Sequence, residues 1–332
     1  MRNILCVTLI ALLGGCTSTS VTEKYQDKRN DIINVKDKVI EFETGNVLIG
    51  SVSRLYMSNK CLLIADHKSV DKQIHIFNKN DFSYLTSIGN FGEGPEEITV
   101  MGCLAIDEAH HQLYVSDHAK QKIFSYDMDS VMVDSLYKPQ VKTAMNETLF
   151  PSEYQYINDT LSIALLIKPT STSTFNQFLG RWNMNTGEMI PMKYTHPDIQ
   201  KKRITFAASE KAGIYVECYT RHDLMTICSL DGELLYNIYG PDWDGGNGNK
   251  LQSFGTVMIG NDKIFVSYCG EDYARDSFPT KILVFDLEGN YLKTLETGYK
   301  ISDCCYDSFN NRIILSLNDV VQFAYLDIDG II

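Results

Sequence analysis

Beyond its first thirteen residues the chain has no long apolar run, and nothing in it approaches the roughly 18 residues of a spanning helix. Helical periodicity is scarce, which argues against a bundle or an α/β fold. Basic clusters are missing too: none is longer than Lys201-Lys202-Arg203, and the formal net charge is -12. So acidic a surface excludes nucleic acid and anionic lipid as binding partners. No Cys-x-x-Cys pair or Cys/His zinc spacing occurs, so a cysteine zinc site is excluded. No nucleophile elbow, phosphate loop or dinucleotide fingerprint occurs either, and no catalytic residue can be named from motif.

What is present begins with MRNILCVTLIALLGGC, in which Arg2 precedes an apolar run from Ile4 to Leu13 and then two small residues and a cysteine. That is a secretory signal, too short for a permanent span. Leu13-Gly14-Gly15-Cys16 resembles the lipobox of bacterial lipoproteins, which implies cleavage after residue 15 and acylation of Cys16. Acyl chains at roughly 0.8 kcal/mol per buried CH₂ would anchor the chain stably. Thr17 stands where an inner-membrane retention aspartate would, so the expected address is the cell envelope, lipid-anchored at the outer membrane. The expected organisation is a signal peptide over 1–15, a lipidated tether over 16–35 and one domain over 36–332.

Removing residues 1–15 from the 332 leaves 317, enough for one large all-β domain or two ordinary ones. Of nine cysteines, seven remain after Cys6 and Cys16 are set aside, an odd number that cannot all pair. Most lie in apolar strand patterns, as buried small hydrophobes do.

One strand texture recurs: CLLIAD from Cys61, QLYVSD from Gln112, TLSIALL from Thr160, GIYVECY from Gly213, KIFVSYC from Lys263 and RIILSLN from Arg312, at intervals of 51, 48, 53, 50 and 49 residues. A period near 50 is that of propeller blades. Each such strand follows a short strand and a turn and precedes a third strand. Tight turns such as Asp231-Gly232 and Asn185-Thr186-Gly187 then launch a fourth. The expected fold is therefore an all-β six-bladed β-propeller of four-stranded antiparallel blades, with two packed β-sandwiches as the competing architecture. The sixth unit runs out of chain at Ile332, so the strand pattern Lys38–Glu43 is expected to complete the last blade and remove a ring edge.

With its lipobox and the stretch Ile88-Gly89-Asn90-Phe91-Gly92-Glu93-Gly94-Pro95-Glu96-Glu97-Ile98, the chain resembles bacterial lipoproteins with TolB-like or NHL-like six-bladed propellers. The stretch is similar to the G-x-G-P-G-E-F element of that family, with Glu96 for the second glycine and Ile98 for the phenylalanine. Its residues Gly92, Gly94 and Pro95 are read as a structural loop crossing between blades, since three glutamates would repel a phosphate.

Propeller topology puts the loops between second and third strands, and those between blades, on one face. That face receives Asp66, His67, Asp117, His118, Arg221, His222, Glu271, Asp272, Tyr273, Arg275 and Trp243, and it is the expected binding face. Trp243, in a loop whose pattern departs from an EF-hand, either stacks on a ligand or plugs the loop from beneath. The function expected is a binding or scaffold module for a protein or glycan, without cofactor. The alternative is a metal-assisted polysaccharide lyase or hydrolase, in which His67, His118 and His222 converge on a divalent ion.

Overall fold

The structure, a computed structural model, describes residues 22–134, 136–200, 202–247, 251–275 and 277–332. The signal peptide, Cys16 and the start of the tether lie outside the described residues.

Six antiparallel sheets follow one another around the ring. The first is formed by Ser53–Met57, Cys61–Asp66, Lys72–Asn78 and Tyr84–Asn90, in that order from the axis outward. The recurring texture of the sequence is the second strand of every blade: Cys61–Asp66, Gln112–Asp117, Leu161–Pro169, Ile214–Tyr219, Lys263–Asp272 and Arg312–Leu317. These strands are apolar on both sides because each face packs on a different neighbour. Leu62 and Ile64 join the layer shared with the sixth blade, while Leu63 and Ala65 join the layer shared with the second. The core is thus six inter-blade layers. Adjacent Cys304 and Cys305 are divided in the same way between two layers, and all seven described cysteines are buried and free.

The chain ends lock the ring. Val39–Glu41 pairs antiparallel with Phe323–Asp327, so the last blade takes its outer strand from the beginning of the chain. The tether reading of 16–35 needs correction from residue 23 onward, because Glu23–Tyr25 pairs parallel with Leu234–Tyr239 on the fourth blade and Ile32–Asn34 with Tyr291–Glu296 on the fifth. Outer strands of a propeller present unpaired N–H and C=O groups, and this segment covers two such edges as a fifth strand. A boundary at residue 36 is therefore too late. Between the two strands Arg29 is inserted 2.8 Å from Asp223, with both side chains almost fully buried.

Among the described residues one α-helix interrupts the pattern. Met128–Val133 starts at Asp127, whose carboxylate accepts the Ser130 N–H at 2.7 Å. Six residues give too little periodicity to be read from sequence.

Candidate functional site

At the axis the innermost strands turn an unpaired edge toward the channel, and side chains close that edge blade by blade. The Tyr56 hydroxyl meets the Leu104 N–H, and the Cys103 thiol meets the Tyr154 N–H. The Gln155 side chain accepts the Ala208 N–H at 2.6 Å, and Thr205 Oγ1 donates to the Gly255 carbonyl at 2.6 Å. Asp303 completes the circle by accepting from Thr256 Oγ1 at 2.7 Å and from the Leu55 N–H at 2.8 Å. Every blade is tied to the next by this belt. Above it Arg54 of the first blade reaches over the second to Glu153 of the third, Nη1 to Oε1 2.6 Å, with side chains 47% and 33% exposed. None of these residues was singled out from sequence, because each contact joins positions about 50 or more residues apart.

The three histidines do not converge. His67 and His118 stand on adjacent blades, both within the field of Arg54 and coupled to each other. Burial holds both imidazoles below their ordinary pKa, and Arg54 adds to that effect. His67 lies against the Met101 carbonyl, and His118 packs 5.9 Å from the Phe150 ring over Gly102. His222 belongs to a different cluster: its ring lies 6.1 Å from Tyr219 and 5.9 Å from Trp243, and Nδ1 is 3.9 Å from Asp244. Burial again lowers its pKa, against the pull of Asp244. Among the described residues no group of three or more His, Cys, Asp or Glu side chains is arranged to hold a metal ion. The arrangement the metal-assisted reading required is absent because His222 is packed into the Tyr219–Trp243 cluster, while His67 and His118 are packed at Met101 and Phe150.

Trp243 is a plug. Its ring contacts Tyr239 at 4.9 Å, His196 at 5.7 Å and His222, and packs against the layer between the third and fourth blades. A half-buried ring so engaged is held within the layer and is not displayed as a loose side chain.

The aspartates of the loop face are likewise committed. Asp66 accepts from Gly50 and Lys68 N–H groups at 2.7 and 2.9 Å. Asp117 accepts from Thr99, Val100, Ala119 and Lys120 between 2.8 and 3.2 Å. Each fastens the incoming inter-blade loop to its own second strand. The Gly92–Glu97 loop is built the same way: Glu97 Oε2 accepts the Gly94 N–H at 2.8 Å, and the Lys120 ammonium donates to the Gly94 and Glu97 carbonyls at 2.6 and 2.5 Å. A side chain at Gly92 would collide with Glu97, its Cβ falling 2.0 Å from Oε2. Pro95 sits at the tip of the same turn.

The remaining loop-face residues are not used in this way. The first two strands of the fifth blade, Leu251–Gly260 and Lys263–Asp272, have ten residues each, whereas the second strands of the first, second, fourth and sixth have six. Because Lys281 of the third strand faces Tyr268, the end of the second strand rises above the disc. Glu271, Asp272, Tyr273 and Arg275 ride on that extension, all exposed. The Arg221 guanidinium of the fourth blade lies 4.1 Å over the Tyr273 ring, a cation–π contact.

This architecture defines the class: the chain is a six-bladed β-propeller, all-β apart from short helical segments. Residues 17–176 match the model of DUF5128, a family described as a 6-bladed beta-propeller. No curated protein matches the chain. Solved structures do. A protein of Bacteroides fragilis described as exported is 14% identical, with 89% of this chain and 87% of that one aligned at a TM-score of 0.57. A member of the duf4221 family from Bacteroides vulgatus is 11% identical over 90% and 98%, at 0.58. A luciferin-regenerating enzyme is 8% identical over 86% and 94%, at 0.56. At such identities the likeness is one of fold, and propellers host many unrelated functions.

Proposed function

We propose that this chain is a lipid-anchored, extracytoplasmic binding module that presents its loop face, above the fourth and fifth blades, to a protein or glycan. The carrying observation is how the face is divided. Asp66, Asp117, His222 and Trp243 are spent on holding loops and layers, and the axis is crossed by the hydrogen-bond belt and the Arg54–Glu153 pair. What stays exposed is the raised set Glu271, Asp272, Tyr273 and Arg275 with Arg221 beside it, in which Asp272 caps its own turn by accepting the Ala274 N–H at 2.9 Å. Exposed aromatic and arginine side chains on a rigid scaffold are the residues that binding sites favour. The lipobox-like Leu13–Cys16 supports anchoring at the envelope, and the similarity to a protein described as exported agrees with that address.

The test uses the soluble chain from Thr17 onward, probed on an array of neutral and acidic glycans and by crosslinking to solubilised envelope proteins. Binding should fall on Tyr273→Ala or Arg275→Ala and stay unchanged on His111→Ala, which lies on the opposite face. A ligand indifferent to the loop-face changes would refute the reading. Incorporation of labelled palmitate into the full chain, lost in Cys16→Ser, checks the anchor.

A further inference from the structure

The entry to the fourth blade carries a second arginine on an aromatic ring. Arg203, the residue before strand Ile204–Ser209, lies 5.0 Å over Phe175, which opens the third strand of the third blade. That blade is also raised: Leu161–Pro169 has nine residues and pairs to its end with Phe175–Trp182. The Arg203 carbonyl accepts the Thr220 N–H at 2.9 Å, so Arg203 and Arg221 leave adjacent strands of one blade side by side. They then lean apart, one onto Phe175 of the third blade and one onto Tyr273 of the fifth. The Thr220 carbonyl in turn accepts the Ser253 N–H at 2.9 Å, fixing the floor to the fifth blade.

The fourth blade is therefore the base of a groove between two taller blades, with an aromatic ring on each wall, Phe175 42% and Tyr273 49% exposed, and a guanidinium against each ring. Among the described residues neither arginine forms an ion pair, although the chain as a whole carries a charge of -12. The rings hold the two guanidinium groups at the rim; Arg203 Nη1 donates to the Lys202 carbonyl at 2.9 Å, and the N–H groups left over on Arg203, with those of Arg221, suit charge-assisted contact with a planar or tetrahedral acid group.

We infer that this groove binds an acidic saccharide, its carboxylate or sulfate groups held by Arg203 and Arg221 and its sugar rings lying between Phe175 and Tyr273. The inference rests on the binding-module reading above and names its ligand. An acidic peptide would meet the same charges, but the two ring walls match the flat apolar faces of sugars.

Titration calorimetry on the soluble chain from Thr17 onward, with oligogalacturonate, a sulfated oligosaccharide, neutral dextran oligomers and oligoglutamate, tests it. One or both acidic saccharides should bind and dextran should not. Arg203→Ala and Arg221→Ala should each weaken binding about tenfold or more, as loss of a charge-assisted hydrogen bond does. Arg221→Lys, which keeps the charge and loses the fork, should recover only part, and Tyr273→Ala should weaken binding severalfold with an unchanged melting temperature. The carboxylated and sulfated probes separate the two acid groups. Failure of both to bind, equal binding of oligoglutamate, or affinity unmoved by Arg203→Ala and Arg221→Ala would overturn the inference. A neutral glycan or protein bound at Tyr273 and Arg275 would overturn it while sparing the broader reading.

Discussion

Replacing Arg29 by alanine takes away the partner of a carboxylate that has no other cation near it. The two side chains are 8% and 0% exposed and 2.8 Å apart, and the guanidinium also lies 5.4–5.7 Å from the rings of Phe254, Tyr268 and Phe285. Removing one member of a buried ion pair typically costs about 3–5 kcal/mol, because the other charge is left unsolvated. For the roughly 310 residues from Thr22 onward, an unfolding entropy near 2.1 cal/mol/K per residue turns this into a fall in Tm of about 5–8 °C. The pH dependence identifies the cause. Burial raises the Asp223 pKa, and Arg29 opposes the rise. Without Arg29 the rise grows, so the folded variant holds a proton that the unfolded chain releases. An acid with a raised folded pKa contributes stability that is complete below its unfolded value and is lost as pH climbs through the folded value. The gap between parent and Arg29→Ala should therefore be widest at neutral pH and narrow as pH is lowered toward 4–5. Thermal melts followed by far-UV circular dichroism between pH 4.5 and 8 read both, and Arg29→Ala with Asp223→Asn should recover part of the loss. A gap under about 1 kcal/mol, the scale of an exposed pair, or one that widens on acidification would refute the buried-pair account.

Two further outcomes follow. Gly102→Ala should destabilise by about 1–3 kcal/mol, the usual cost of overpacking, since the new Cβ would fall 2.4 Å from His118 Nε2, and His118→Ala in the same chain should relieve it; both are read by denaturant melts. Burial lowers the pKa of His67, His75, His118, His196 and His222, so the unfolded chain takes up protons more readily than the folded one below about pH 6.5. Stability should fall as pH drops from 7 toward 5.5, and histidine NMR resonances that titrate at or above the free value would contradict this.

The blades were legible because everything that defines them is local. A second strand such as Cys61–Asp66 is apolar from Cys61 to Ala65 and buried throughout, its turns carry Gly, Asn and Asp, and its partners lie within 30 residues. The closure by Val39–Glu41 could be anticipated by counting strands. The belt of Tyr56, Cys103, Gln155, Thr205, Thr256 and Asp303 could not. Its members are ordinary residues on inner strands, and only the ring brings each one beside the next blade's backbone. The same difference separates the histidines that were singled out from what they do. Asp-His at the end of a second strand recurs at Asp66-His67 and Asp117-His118, and that local repeat suggested a shared centre. The repeat in fact serves loop fastening by the carboxylates, while the imidazoles pack on the second blade's inner strand, His118 over Gly102 and His67 against the Met101 carbonyl. The other four blades lack it, the fourth among them. There Tyr219 stands at the strand end, and Asp223, four residues later, pairs with Arg29 instead of fastening the incoming loop. That loop is held by the buried Lys202–Glu217 pair, 2.7 Å apart. The next residue, Arg203, then stands at the rim with Arg221 beside it, each against a ring of a raised neighbour, so a different way of fastening the loop accompanies the arginines of the fourth blade.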